Sequence, residues 1–192
     1  MFVVYDLEYT SWPGAQDRGW TGPGEFREIV QIGALRIDPS SMDVVGEFDA
    51  LIRPVRNPAL SAFFVDLTGI TQDEIEDRGQ DFAAALDGFV KFCDGGYAIS
   101  YGNDMVIVGE NIILQLPAGR RLSAPLPPFV NIRPHLHKMI PAAAPLPAGR
   151  LREAVGLATP GGDPLHNAVQ DCYAILEVLR HLRREGLPIF NL

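Results

Sequence analysis

The chain has 192 residues, 47% of them hydrophobic, and a formal net charge of −8, which fits a single domain over residues 1–192 with a substantial core. The acidic excess argues against a protein that binds a nucleic-acid duplex by bulk electrostatics, and no apolar stretch is long enough to span a membrane, so no membrane partner is expected. With only Cys93 and Cys172 and no leader before the first strand, we expect no disulfide framework and a cytoplasmic location.

The first predicted element is a strand after Met1, which reads Phe-Val-Val-Tyr-Asp-Leu-Glu-Tyr. Asp6 and Glu8 are separated by one residue, so both side chains lie on the same face of an extended strand. Two carboxylates at the end of an apolar strand cost free energy unless a cation neutralises them, and Mg²⁺ and Mn²⁺ suit oxygen ligands. For this pair alone, a strand end whose carboxylates face water is the alternative.

Residues 11–27 contain so many glycines and prolines that they predict a loop. Its Trp12 and Trp20 could offer a surface on which nucleic-acid bases stack, or could fold back onto the core, and the sequence leaves both open. Strands are predicted over Glu28–Ile37 and Val44–Arg53. The short turns between these strands predict an antiparallel meander.

The middle of the chain alternates helix and strand signals. Thr71 with Glu74 three residues later is a capping box for a short helix. An amphipathic helix is predicted over Phe82–Cys93, because its apolar residues recur at helical spacing. A short strand over Tyr97–Tyr101 follows, and Asp104 opens a helix that runs to about Leu116. This order of strand, turn and helix places an acidic side chain at the carboxyl edge of a sheet.

Residues 117–149 are rich in proline, which excludes one long helix. We predict a short helix near residues 129–139 and another over Arg150–Leu157. The first of these carries a cluster of basic residues: Arg133, His135, His137 and Lys138.

A last helix is predicted over Asn167–Arg184. Asn167 with Gln170 resembles a capping box, which leaves His166 on the preceding loop and Asp171 on the first turn. Asp163 with Pro164 is an alternative start.

Motifs along nearly the whole chain together resemble the DEDDh exonucleases, a family of metal-dependent 3′-to-5′ nucleases that includes proofreading subunits of replicases, RNase T and oligoribonuclease. The Ser-Tyr-Gly sequence at Ser100 and the isoleucine-arginine stretch near Arg133 most resemble the RNase-type branch of the family. Between Gly102 and Asp104 only Asn103 intervenes, where the second motif of the family has more residues. The segments that carry the resemblance are Asp6–Thr10, Glu28–Ala34, Leu67–Thr71, Ser100–Asp104 and His166–Asp171.

The resemblance implies an α/β, ribonuclease H-like fold, with a mixed central sheet of about five strands, an antiparallel N-terminal meander and flanking helices. It implies two divalent ions, Mg²⁺ or Mn²⁺, as cofactors. Asp6 would bridge both ions, Glu8 and Asp171 would complete the first site, and Asp104 would hold the second. His166 would be the general base that takes a proton from the attacking water.

The implied reaction releases nucleoside 5′-monophosphates stepwise from single-stranded 3′ ends, with RNA somewhat favoured over DNA. Tyr9 and Thr10 follow the first motif and would contact the terminal nucleotide. Phe64, or its neighbour Phe63, would wedge against a base, and packing in the core is the alternative for both.

Two other function classes stay open at this point. One is a non-catalytic adaptor on the same fold that binds nucleic acid or protein. The other is a metal-dependent phosphohydrolase that acts on nucleotides. The sequence does not decide the oligomeric state.

Overall fold

A mixed β-sheet forms the centre of the structure, a computed structural model that describes residues 1–158 and 166–187. Its strands are β1 (Phe2–Tyr9), β2 (Ile29–Ile37), β3 (Val44–Leu51), β4 (Tyr97–Ser100) and β5 (Phe129–Asn131). The helices are α1 (Ala62–Thr68), α2 (Gln72–Arg78), α3 (Phe82–Cys93), α4 (Asp104–Gln115), α5 (Arg133–Met139) and α6 (Ala168–Arg184), with 3₁₀ helices at Pro141–Ala143 and Ala148–Val155. The alternative helix start at Asp163 and Pro164 lies outside the described residues.

Within the described residues the strand order is β3-β2-β1-β4-β5. The first three strands are antiparallel neighbours, whereas β4 runs parallel to β1 and β5 runs parallel to β4. The predicted meander and the α/β class are therefore confirmed. A parallel pair needs a crossover connection, and here helices α1 to α3 supply the one from β3 to β4.

Strand β1 is buried on both faces. Its side chains alternate between the two faces, and each face packs against a different core cluster. Val3, Tyr5 and Leu7 belong to the core cluster that contains helices α3 and α4. Phe2 and Val4 belong to the opposite cluster, which contains α6. Because side chains alternate along a strand, Asp6 and Glu8 continue the face that looks toward α6.

Local capping signals correctly predicted where two helices begin. Thr71 and Glu74 form the complete capping box of α2. The side chain of Asn167 accepts hydrogen bonds from the backbone of Val169 and Gln170, so α6 begins where predicted. No helix in the described ranges is both long and apolar enough to cross a membrane.

Two segments differ from the predictions. The helix predicted near residues 129–139 begins only at Arg133, because Phe129 to Asn131 pair with β4 as a parallel edge strand. Helix α1 was not predicted, since the run Phe-Phe-Val-Asp-Leu lacks helical periodicity. It forms because Ser61 caps its N-terminus and Gly69 ends it in a left-handed conformation, with φ of 74°.

The first turn of α6 packs directly on β2. A Cβ at Gly33 would lie 2.5 Å from the backbone of Ala168 and Val169, so only glycine permits this approach. The side-chain oxygen of Gln31 accepts a hydrogen bond from the backbone of Ala168 at 3.1 Å. These contacts hold the N-terminus of α6 over the face of β1 that carries the carboxylates.

Candidate active site

A cleft of about 640 Å³ lies where β1 ends and helices α4 and α6 begin. All four predicted acidic residues and the predicted histidine line it: Asp6, Glu8, Asp104, Asp171 and His166. The cleft therefore gathers residues from three parts of the chain at one sheet edge. Three aromatic residues and two arginines also line the cleft: Tyr9, Trp20, Tyr101, Arg27 and Arg133.

Asp6 and Glu8 form the floor of the cleft. Glu8 is 7% exposed, and its Oε1 is buried without a hydrogen-bond partner among the described residues. Burial, followed by the charges of Asp171, Asp104 and Glu8, raises the pKa of Asp6 well above its ordinary value. Burial and the charges of Asp171 and Asp104 do the same to the pKa of Glu8. A bound cation would stabilise this buried cluster of carboxylates.

Asp104 is buried in the cleft despite its short motif. It is the first residue of α4, where the helix dipole favours a carboxylate. Burial raises its pKa, and its charge acts on Asp6 and Glu8. Asn103 makes no side-chain cap to α4 and instead accepts a hydrogen bond from Asn131 at 2.9 Å.

Asp171 lies on the first turn of α6 and is supported by the 3₁₀ helix Ala148–Val155. Burial raises the pKa of Asp171 to about 7, and the charge of Arg152 and the backbone N–H of Gly149 act in the opposite direction. A Cβ at Gly149 would lie 2.6 Å from Asp171 Oδ1, so a larger residue there would displace the carboxylate. Arg152 is itself bonded to Glu177 on α6.

His166 stands on the loop before α6, as predicted. Its backbone N–H donates to the carbonyl of Leu67 at 2.9 Å, and its Nδ1 lies 3.9 Å from Asp171 Oδ2. Its side chain is 37% exposed, so it is open to the cleft.

Glu8, His166 and Asp171 together offer ligand atoms that lie within 4.8 Å of one another, and this group includes neither Asp6 nor Asp104. Such spacing fits a cation held between them. The unpartnered Oε1 of Glu8 and the cluster of four carboxylates also favour a bound cation. Oxygen ligands suit Mg²⁺ or Mn²⁺. The residues present therefore fit the divalent cation that the family motif implies.

The predicted substrate residues separate into two groups. Tyr9 lines the cleft, and the ring of Trp20 packs edge-on against it at a centroid distance of 5.4 Å. Trp20 is thus both folded back onto the protein and part of the cleft. Thr10 is buried, and its hydroxyl donates to the carbonyl of Phe26 and accepts from the backbone of Glu28. Thr10 therefore shapes the loop behind the cleft.

The prediction that Phe64 contacts a base is corrected. Phe64 is 1% exposed and packs in a core cluster with Val30, Leu51 and Ile70. Its side chain stabilises α1 against the sheet and cannot meet a substrate. Phe63 is exposed but is not among the residues that line the cleft.

Leu67 and Arg133 line the cleft and were given no role from the sequence. Leu67 belongs to a segment that carries the family resemblance, and Arg133 belongs to the basic cluster, so both segments were visible in the sequence. Their position at the cleft was not, because it depends on how α1 and α5 pack.

Comparison with known proteins agrees with this geometry. A family model described as Exonuclease, RNase_T, matches residues 3–179. ERI1 exoribonuclease 2 of Danio rerio is 34% identical over 74 residues, which are 38% of this chain and 12% of that protein. The 3′-5′ exoribonuclease 1 of Rattus norvegicus is 37% identical over 65 residues, which are 33% of this chain and 19% of that protein. The aligned stretches span less than a fifth of these relatives.

Solved structures share the fold. The nuclease domain of 3′hExo, described as a DEDDh family member bound to rAMP, has a TM-score of 0.73 at 20% identity and covers 96% of this chain and 92% of that chain. E. coli Exonuclease I in complex with a dA16 oligonucleotide has a TM-score of 0.65 at 17% identity and covers 95% of this chain and 40% of that chain. The mixed sheet flanked by helices is thus the ribonuclease H-like fold of exonucleases.

Proposed function

The chain belongs to the RNase T family of exonucleases, and from this we propose that it is a metal-dependent 3′-5′ exonuclease of the DEDDh type. It releases nucleoside 5′-monophosphates from single-stranded 3′ ends, with RNA preferred over DNA. The observation that carries the proposal is the convergence of Asp6, Glu8, Asp104, Asp171 and His166 in one cleft.

Asp6, Glu8, Asp104 and Asp171 would hold two Mg²⁺ or Mn²⁺ ions, which would neutralise the scissile phosphate and make water a better nucleophile. The remaining chemistry falls to the protein. His166, exposed to the cleft, accepts the proton of the water that attacks phosphorus. The P–O3′ bond breaks, and the leaving oxygen takes a proton from solvent, which leaves a shortened strand with a free 3′ hydroxyl.

The cleft walls support a single-stranded substrate. Tyr9 and Trp20 stand on one side, and bases separated from a partner strand can stack on such rings. The preference for RNA rests on the relatives named exoribonucleases, whereas the structure of Exonuclease I with dA16 supports a fold that also takes DNA.

The test is digestion of labelled single-stranded RNA and DNA of one sequence, with Mg²⁺ or Mn²⁺ and with a chelator. We expect metal-dependent shortening from the 3′ end, faster for RNA, and none when the 3′ end is blocked. Binding without shortening would favour the adaptor. Hydrolysis of the p-nitrophenyl ester of thymidine 5′-monophosphate without shortening of an oligonucleotide would favour the nucleotide phosphohydrolase.

A further inference from the structure

Arg133 brings a positive charge to the wall of a cleft that is otherwise dominated by carboxylates. It is exposed and lines the cleft on the side of Asp104, whose pKa its charge lowers. The other lining arginine, Arg27, is bonded to Glu110. Among the described residues, no carboxylate lies within ion-pair distance of Arg133. Its guanidinium charge is therefore not neutralised by a described carboxylate and can attract an anion into the cleft.

The position of Arg133 is built into the structure. Its guanidinium lies over the ring of Tyr101, 5.4 Å from the ring centroid. The Tyr101 hydroxyl donates to the carbonyl of Ala143 at 2.8 Å and contacts His137 Nε2 at 2.7 Å, so the ring is fixed at its far end. A guanidinium that stacks on a fixed ring loses less freedom when it binds an anion.

The backbone at Arg133 is tied to the motif that carries Asp104. Asn131 Oδ1 accepts a hydrogen bond from the Arg133 backbone at 2.9 Å, and Asn131 Nδ2 donates to Asn103 Oδ1 at 2.9 Å. Asn103 is the residue directly before Asp104. Asn131 therefore links the backbone of Arg133 to the residue that precedes Asp104.

We propose that Arg133 binds the phosphate that lies one nucleotide to the 5′ side of the scissile bond, an inference that rests on the proposed exonuclease function. The scissile phosphate lies among the four carboxylates, where cations meet its charge. The next phosphate of the strand leaves that cluster, and Arg133 provides a planar, always charged donor group beside it. Arg133 thus makes the cleft select a polynucleotide over a mononucleotide ester.

The experiment combines a substitution at Arg133 with the removal of one phosphate charge from the substrate. Two single-stranded oligonucleotides are compared, one with natural linkages and one with a neutral methylphosphonate at the linkage one nucleotide 5′ of the terminal bond. Single-turnover removal of the terminal nucleotide is measured for the wild type and for Arg133→Gln. For the wild type we expect the methylphosphonate to slow cleavage roughly ten- to hundredfold, the usual range for a lost charge-assisted hydrogen bond.

In Arg133→Gln the natural oligonucleotide should be slowed by a similar factor, and the methylphosphonate should add little. Hydrolysis of the p-nitrophenyl ester of thymidine 5′-monophosphate, which has no second phosphate, should fall by a much smaller factor than removal of the terminal nucleotide. Arg133→Lys, which keeps the charge, should recover part of the rate and serves if the glutamine variant fails to fold. Arg184→Gln is the matched control, because Arg184 lies thirteen residues after Asp171 on α6, roughly 20 Å along the helix.

An unchanged methylphosphonate effect in Arg133→Gln would overturn the inference, as would an equal loss of rate on the nitrophenyl ester. If the wild type shortens neither oligonucleotide, the proposed function fails and the inference fails with it. The wild-type measurement alone identifies that case.

Discussion

Gly33 pairs with Asp6 across the β1–β2 ladder, and the space beside its α-carbon is filled by the first turn of α6. One glycine therefore determines how closely the helix that carries Asp171 approaches the strand that carries Asp6. The two carboxylates act on each other because this approach is permitted.

Gly33→Ala should damage both stability and activity. A Cβ would lie 2.5 Å from backbone atoms that cannot move alone, so α6 must shift as a unit. Overpacking of this kind costs about 1–3 kcal/mol, which urea unfolding would measure. Cleavage should fall more than stability, because Asp171 moves with the helix. Gly109→Ala on α4 is the control, since its Cβ meets nothing within 4 Å and should leave stability equal or higher. Equal behaviour of the two variants would contradict the close-packing account.

Asp171→Asn or Asp6→Asn should remove at least about a hundredfold of the metal-dependent activity while leaving the fold intact. Each substitution removes an anionic ligand and keeps the shape. Activity would be measured on a labelled oligonucleotide across a range of Mn²⁺ concentrations. Asp66→Asn on α1, an aspartate that does not line the cleft, is the control. Full activity in either cleft variant would remove these residues from the ligand set.

The stability of the metal-free protein should fall as pH rises from about 4 to about 7. The pKa of Asp171 is raised from 3.8 to about 7, so the folded state holds a proton that the unfolded chain has released. A raised carboxyl pKa favours folding below the unfolded value, and that advantage is lost as pH rises through the folded value. Mn²⁺ should therefore raise the melting temperature more at pH 8 than at pH 5. A metal-induced shift that is equal at both pH values would count against the acidic cluster as the binding site.

His166→Ala separates two roles that the geometry allows. As a general base, His166 contributes about a hundredfold or more to turnover without changing the Mn²⁺ concentration that gives half activity. As a ligand in the group with Glu8 and Asp171, its loss would raise that concentration. We expect the first result, together with loss of the acidic limb of the pH profile. His181→Ala near the end of α6 is the matched control and should change neither quantity.

Tyr9 and Phe64 should respond to truncation in opposite ways. Phe64→Ala removes a buried ring from the core and should cost about 3–5 kcal/mol in unfolding free energy. Its KM for an oligonucleotide should stay near the wild-type value under conditions where the variant is folded. Tyr9→Ala, on the cleft wall, should raise KM. A raised KM in folded Phe64→Ala would restore the substrate role that its burial contradicts.

Local patterns in the sequence were enough to predict the side-chain alternation of β1 and the starts of two helices. The period of two along β1 placed Asp6 and Glu8 on one face, and the caps at Thr71 and Asn167 marked where α2 and α6 begin. These rules act over a few residues, so they can be applied without knowing what the segment packs against. The order of the motifs was also enough to identify the family.

Only the tertiary structure decided the contacts between distant residues. Gly33 meets Ala168, and Asn103 is bonded to Asn131 across another pair of elements. The packing of the helices also buries Phe64 in the core and places Arg133 at the cleft. Both residues lie in segments that were noted in the sequence, but their positions could not be predicted from it. Helix docking and strand pairing depend on residues far apart in the chain, and no local periodicity contains that information.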